Sequence, residues 1–127
     1  MDGAFVSVVS IPVADQDRAK AFYTGVFGFE LVMDREFREG MRWVMLRPPG
    51  GGAAITLVTW FPKMRPGSVQ GSVLSVPDLD AALSELRRRG APLADVSVEE
   101  APWGRWITLE DPDGNSWVIQ EDRPFAA

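Results

Sequence analysis

From Phe5 to Ile11 apolar and polar positions alternate, with Val6, Val8 and Ser10 toward one side and Phe5, Val9 and Ile11 toward the other. That period of two predicts a strand. The period then changes. Ala19, Phe22, Tyr23, Val26 and Phe27 recur at three- and four-residue steps, the spacing of one apolar helical face. Asp15 stands where its carboxylate can accept from the first free N–H groups of that helix, and Gly28 is placed to end it. Three further strands are expected, at Phe29–Asp34, Met41–Arg47 and Ala53–Thr59.

The same order of signals then recurs. Gly71–Val76 reads as a strand, Asp78 as a cap, and Leu79, Ala82, Leu83 and Leu86 as a buried helical face stopped by Gly90. Strands are expected at Leu93–Val98, Arg105–Glu110 and Ser116–Glu121. The two series are in register at a constant offset of 63 residues: Val13 with Val76, Asp15 with Asp78, Arg42-Trp43 with Arg105-Trp106, Leu46 with Leu109, Pro49 with Pro112, and Gly51 with Gly114. Tryptophan is rare, so a matched Arg-Trp pair in register with a matched Pro and Gly marks an internal repeat. The expected fold class is α+β. Two tandem βαβββ repeats, at about 4–61 and 70–122, form paired curled mixed sheets around a concave cleft. They are joined by a linker at about 62–69 whose prolines, Pro62 and Pro66, are out of place in a central strand.

A chain of 127 residues is enough for one domain with a real core. Its net charge of −5 argues against nucleic acid and against an anionic membrane as partner. The run Arg87-Arg88-Arg89 lies where positive charge complements a helix C-terminus, and is expected to be a solvated helix end. There is no cysteine, which removes disulfides and thiolate chemistry, and there is no histidine. No secretory leader and no membrane-spanning run is visible, so a cytoplasmic protein is expected.

Several segments together resemble the vicinal oxygen chelate superfamily, which includes glyoxalase I, bleomycin-resistance proteins and extradiol dioxygenases. They are Val13-Ala14-Asp15, Ala21-Phe22-Tyr23, Val26-Phe27-Gly28-Phe29, Val76-Pro77-Asp78-Leu79-Asp80, Trp103-Gly104 and the turn Asp111-Pro112-Asp113-Gly114-Asn115. The turn is readable without any family: proline sets φ, glycine supplies positive φ, and Asp and Asn bond back to their own backbone. The resemblance implies a fold rather than a chemistry.

Metal-dependent relatives hold a divalent ion with inward-facing His and Glu, two from each repeat. The resemblance carries those positions to Val8, Thr56, Gly71 and Val118. None offers a nitrogen or carboxylate ligand, and the acids cluster instead at caps, turns and strand ends. No metal and no cofactor are expected.

Five tryptophans, Trp43, Trp60, Trp103, Trp106 and Trp117, are many for this length, and indole stacks on planar molecules. Trp60 shares the parity of Thr56 if the strand runs on, and Trp43 and Trp106 are repeat-related. The expected function is metal-free binding of a planar or aromatic small molecule, an antibiotic being one candidate. The expected ligand-binding residues are Val8, Ser10, Trp43, Thr56, Trp60, Trp106, Val118 and Gln120. The acidic net charge would suit a cationic ligand. The competing reading is a metal-independent or atypical enzyme acting on a small metabolite. Its candidates are Glu36, Glu39 and Arg42 at the cleft mouth, and Tyr23, whose spacing makes it a packing residue first. Nothing pairs a nucleophile with a base. A third class is a protein-interaction module. Open sheet edges need cover, and in the family two chains often complete each other's troughs, so a homodimer is expected.

Overall fold

The computed structural model describes residues 1–122. Its elements run β1 (Val8–Pro12), α1 (Gln16–Gly25), β2 (Glu30–Arg38), β3 (Met41–Arg47), β4 (Ala54–Val58), β5 (Ser72–Ser75), α2 (Leu79–Arg88), β6 (Glu99–Ala101), β7 (Gly104–Glu110) and β8 (Ser116–Asp122). The first sheet has the order β1-β4-β3-β2 and the second β5-β8-β7-β6. In each, the outer strand before the helix pairs parallel with the last strand, and the remaining pairs are antiparallel. Two α+β halves of identical topology result.

Each helix is started by the aspartate placed to do so. Asp15 accepts from the N–H of Arg18 and Asp78 from that of Ala81, both at 3.1 Å. Gln16, at the first turn of α1, donates to the carbonyls of Arg42 and Leu57 at 2.7 and 2.8 Å, pinning the helix to the first sheet. One face of each sheet is then buried under its helix. Ile11, Ile55, Leu57, Val44 and Leu46 pack against Ala19, Phe22 and Tyr23; Ile107, Leu109 and Ile119 pack against Leu79, Leu83 and Leu86. Val26, Phe27 and Leu74 touch both clusters, and Trp117 of β8 is buried in the first.

Several expectations are corrected. The strand expected at Leu93–Val98 is absent: Val96 N–H bonds back to the Leu93 carbonyl, so both side chains pack beneath α2 instead of extending. The edge strand is Glu99–Ala101, hairpinned to β7. The first strand begins at Val8 rather than Phe5, opposite Ala54, the first residue of β4, whose N–H donates to the Ser7 carbonyl at 2.9 Å. α1 ends at Gly25; Gly28, at φ +69°, closes the chain reversal that returns the Phe29 N–H to the Tyr23 carbonyl. The run Arg87-Arg88-Arg89 does end α2 and is exposed, and Arg89 in addition pairs with Glu85 and donates to the Gly25 carbonyl at 3.1 Å, bridging α2 to the end of α1.

Candidate ligand-binding site

The face of each sheet turned away from its helix is set by the registers. In the first sheet Ser10 lies opposite Thr56 and Thr56 opposite Met45, so Val8, Ser10, Thr56, Met45 and Trp43 share the concave side. In the second, Trp106 lies opposite Gln120 and Thr108 opposite Val118, which lies opposite Val73. These side chains form the concave side of that sheet.

Ser10 and Thr56 meet there. Their hydroxyl oxygens are 3.1 Å apart, with Thr56 fully buried and Ser10 half-buried. Ser10 also lines a pocket of about 350 Å³ with Phe61, Pro62, Lys63 and Met64. Residues 61–64 therefore lie beside the first sheet, although the sequence reads as a linker from Pro62. The segment is held by its far end. Val69 N–H donates to Asn115 Oδ1 at 3.1 Å, Ser116 N–H donates to the Val69 carbonyl at 2.9 Å, and Gly67, at φ +81°, lies so close to the Asp113 carbonyl that a Cβ would stand 2.2 Å from it. Phe61, Lys63 and Met64 were missed by sequence reasoning. The available signal was two apolar side chains, Phe61 and Met64, on either side of Pro62, which a solvated connection does not need.

The strand does not run on to Trp60; β4 ends at Val58, whose carbonyl accepts from Val13 N–H. Trp60 nonetheless reaches the same side, its ring 5.2 Å from that of Trp43. Phe37 meets Trp43 edge-on at 6.2 Å, and Phe61 lies 5.9 Å from Trp60, so four aromatic rings run in sequence beside the pocket. In the second half Trp103 and Trp106 are nearly parallel, at 8° and 6.2 Å between centroids, and Trp103 is half exposed. Trp117 faces the core.

The expected site residues thus fall into two groups. Val8, Ser10, Thr56, Trp43 and Trp60 come together on the first sheet; Trp106, Val118 and Gln120 come together on the second. Among the described residues no hydrogen bond or ring contact joins the groups.

The positions carried over for a metal do not fit one. Val8 and Val118 are apolar, the Thr56 hydroxyl is engaged by Ser10, and Gly71, at φ +80°, precedes β5. Among the described residues no three His, Cys, Asp or Glu side chains gather as a ligand set. Glu121 is bonded to Arg105 on the helix side, and Glu110 sits at the strand end beside the turn.

Of the catalytic candidates, Glu36 and Glu39 are exposed, Glu36 lying opposite Arg42 in the β2–β3 register, while Arg42 and Tyr23 are engaged. Arg42 bonds to Asp34 and, second, to Asp17 on the helix side, which raises its pKa. Tyr23 is fully buried; it donates to Asp111 Oδ2 at 2.6 Å and accepts from Trp117 Nε1 at 2.9 Å. Burial first, and the Asp111 hydrogen bond second, push its pKa far above that of an ordinary phenol, so its proton stays in place. Asp111 also accepts from the Asn115 side chain and from the backbone N–H groups of Asp113 and Asn115, while Asn115 donates to the Pro12 carbonyl. The Asp-Pro-Asp-Gly-Asn turn is more than a hairpin: it ties β1 and α1 to the second sheet.

Comparison with known proteins agrees with this architecture. The model of the glyoxalase/bleomycin resistance protein/dioxygenase superfamily matches residues 5–119. TnmS3, an antibiotic binding protein from Streptomyces sp. CB03234, superposes with a TM-score of 0.84 at 37% identity, covering 97% of this chain and 99% of that one. A superfamily member from Sphaerobacter thermophilus DSM 20745 gives 0.82 at 33% identity, over 95% and 99% of the two chains. The uncharacterized protein YetH of Bacillus subtilis (strain 168) is 27% identical over 120 residues, 91% of this chain and 97% of its own. Among the described residues no helix is long and apolar enough to cross a membrane.

Proposed function

The chain belongs to the glyoxalase/bleomycin resistance protein/dioxygenase superfamily, and from that premise we propose that it binds a planar or aromatic small molecule, without a metal ion, on its concave faces. The observation that carries this reading is the run Phe37, Trp43, Trp60 and Phe61 beside a pocket of about 350 Å³ edged by the Ser10 hydroxyl. Rings supply stacking area and a few hydroxyls fix orientation, which is how small-molecule pockets combine affinity with selectivity. TnmS3, the antibiotic-binding relative, supports an antibiotic as one ligand class.

The protein acts in this reading as a cytoplasmic homodimer. Phe5, Val6 and Val73 are 82%, 67% and 52% exposed, an apolar surface on and beside the edge strands β1 and β5 that a second copy would cover. The proposed ligand-binding residues remain Val8, Ser10, Trp43, Thr56, Trp60, Trp106, Val118 and Gln120, joined by Phe61, Lys63 and Met64 from the covering segment.

Tryptophan fluorescence titrated with planar antibiotics and aromatic metabolites, with chelator and with added divalent metal, tests the reading. Saturable quenching that is indifferent to both is the expected result. Quenching that appears only with metal would overturn it.

A further inference from the structure

We propose that the concave face of the first sheet recognises an anionic oxygen, such as a carboxylate, phenolate or sulfonate, carried on a planar aromatic ligand; this rests on the reading of that face as a ligand site. The chain is acidic, with a net charge of −5, yet this face is basic. Trp43, Met45 and Arg47 alternate along β3 and so point the same way, and Arg35 lies directly opposite Trp43 on β2. Lys63 lines the pocket beside Ser10.

Arg47 lies directly opposite Glu30 on β2, without an ion pair, whereas neither Arg35 nor Lys63 has a carboxylate within ion-pair distance among the described residues. The contrast with the helix-covered side is clear. There Lys20 and Arg42 are both paired with Asp34, and Arg105 with Asp80 and Glu121. Positive charge is paired where the sheet meets its helix, while Lys63 at the pocket and Arg35 on the same face are left without an acid.

The hydroxyl pair adds a donor. Thr56 is fully buried, and Ser10 is its side-chain partner. When Thr56 donates to Ser10, the Ser10 proton is free to point into the pocket, toward an oxygen acceptor. An anion held there by a hydroxyl and an ammonium gains charge-assisted hydrogen bonds in surroundings lined mainly by Phe61, Pro62 and Met64. The second sheet has the opposite sign: Glu99 lies opposite Trp106 and Glu110 opposite Ser116. A ligand with an acidic end is therefore directed to the first sheet and away from the second. The sign of the site is opposite to that of the whole chain.

A matched series separates charge from stacking: 2-naphthoate, neutral 2-naphthamide and the cationic (2-naphthyl)methylammonium ion, titrated calorimetrically at low salt with the full chain. The expected order is anion, neutral, cation, with about tenfold between the first and last and a preference that shrinks as salt rises. In Lys63→Met combined with Arg35→Gln, both exposed positions, the ratio of anion to neutral affinity is expected to fall about fivefold. Equal affinities across the series, or tighter binding of the cation, would overturn the inference while leaving the binding site standing. Failure of all three to bind would remove the site itself, and this inference with it.

Discussion

Trp117 donates its indole N–H to the hydroxyl of Tyr23 at 2.9 Å, across 94 residues of chain, in a fully enclosed position between the two halves. Tyr23 in turn donates to Asp111, so helix α1 of the first half is bonded to a strand and a turn of the second. Tyr23→Phe keeps the ring packing with Phe22, Phe27 and Phe29 but strands a buried indole N–H and removes a donor from Asp111. A loss of about 1–3 kcal/mol is expected in urea unfolding, with ligand affinity unchanged. Loss of ligand binding at unchanged stability would instead place Tyr23 in the site.

The segment beside Ser10 is anchored at Gly67, where positive φ and the Asp113 carbonyl both exclude a side chain. Gly67→Ala is expected to shift that segment and to weaken ligand binding about tenfold, more than its effect on the unfolding midpoint would explain. A variant that binds as tightly as the native chain would show that residues 61–64 do not belong to the site.

Acid should loosen the fold through its ion pairs. Hydrogen bonds from Arg42 first, then Lys20, hold the Asp34 carboxyl well below the usual range; Arg105, then the Leu79 N–H, lower Glu121. A carboxyl depressed in the folded state binds fewer protons there than in the unfolded chain. Its stabilisation is present at neutral pH and is lost as pH falls below about 4 toward the folded-state value. The urea midpoint is expected to fall between about pH 5 and pH 3, and Asp34→Asn to flatten that slope by lowering the neutral-pH end. An unaltered slope in Asp34→Asn would contradict this assignment.

Light scattering on the eluting protein should return twice 14.0 kDa. Val6→Lys, which places a charge on the exposed strand extension, is expected to shift the mass toward that of one chain. A single-chain mass for the native protein would refute the homodimer.

Much of the fold was legible because local signals were redundant. Asp15 and Asp78 capped the helices they precede, and the offset that matched Trp43 with Trp106 also matched equivalent strands, β3 and β7. Failures came where tertiary contacts overrode the pattern. Leu93 and Val96 are apolar enough for a strand, but their neighbours lie under α2, so they turn back. Ser10 and Thr56 were both expected on the cleft side from strand parity, but their hydrogen bond to each other depends on the β1–β4 register and was not read from the sequence. The pocket wall from residues 61–64 was not legible, since its position depends on Gly67 and Asn115 meeting across the two halves. Nor was the basic lining, because sequence shows total charge but not which arginines are left without an acid.

The central claim is that aromatic side chains on the first sheet hold a small molecule without a metal. The most direct test compares quenching titrations of the native chain and of Trp43→Leu combined with Trp60→Leu, in chelator, against one planar ligand that binds. The account expects saturable binding by the native chain and affinity about tenfold or more weaker in the variant, with far-UV circular dichroism unchanged. Calorimetric affinities equal in the two proteins, or binding that chelator abolishes, would contradict it.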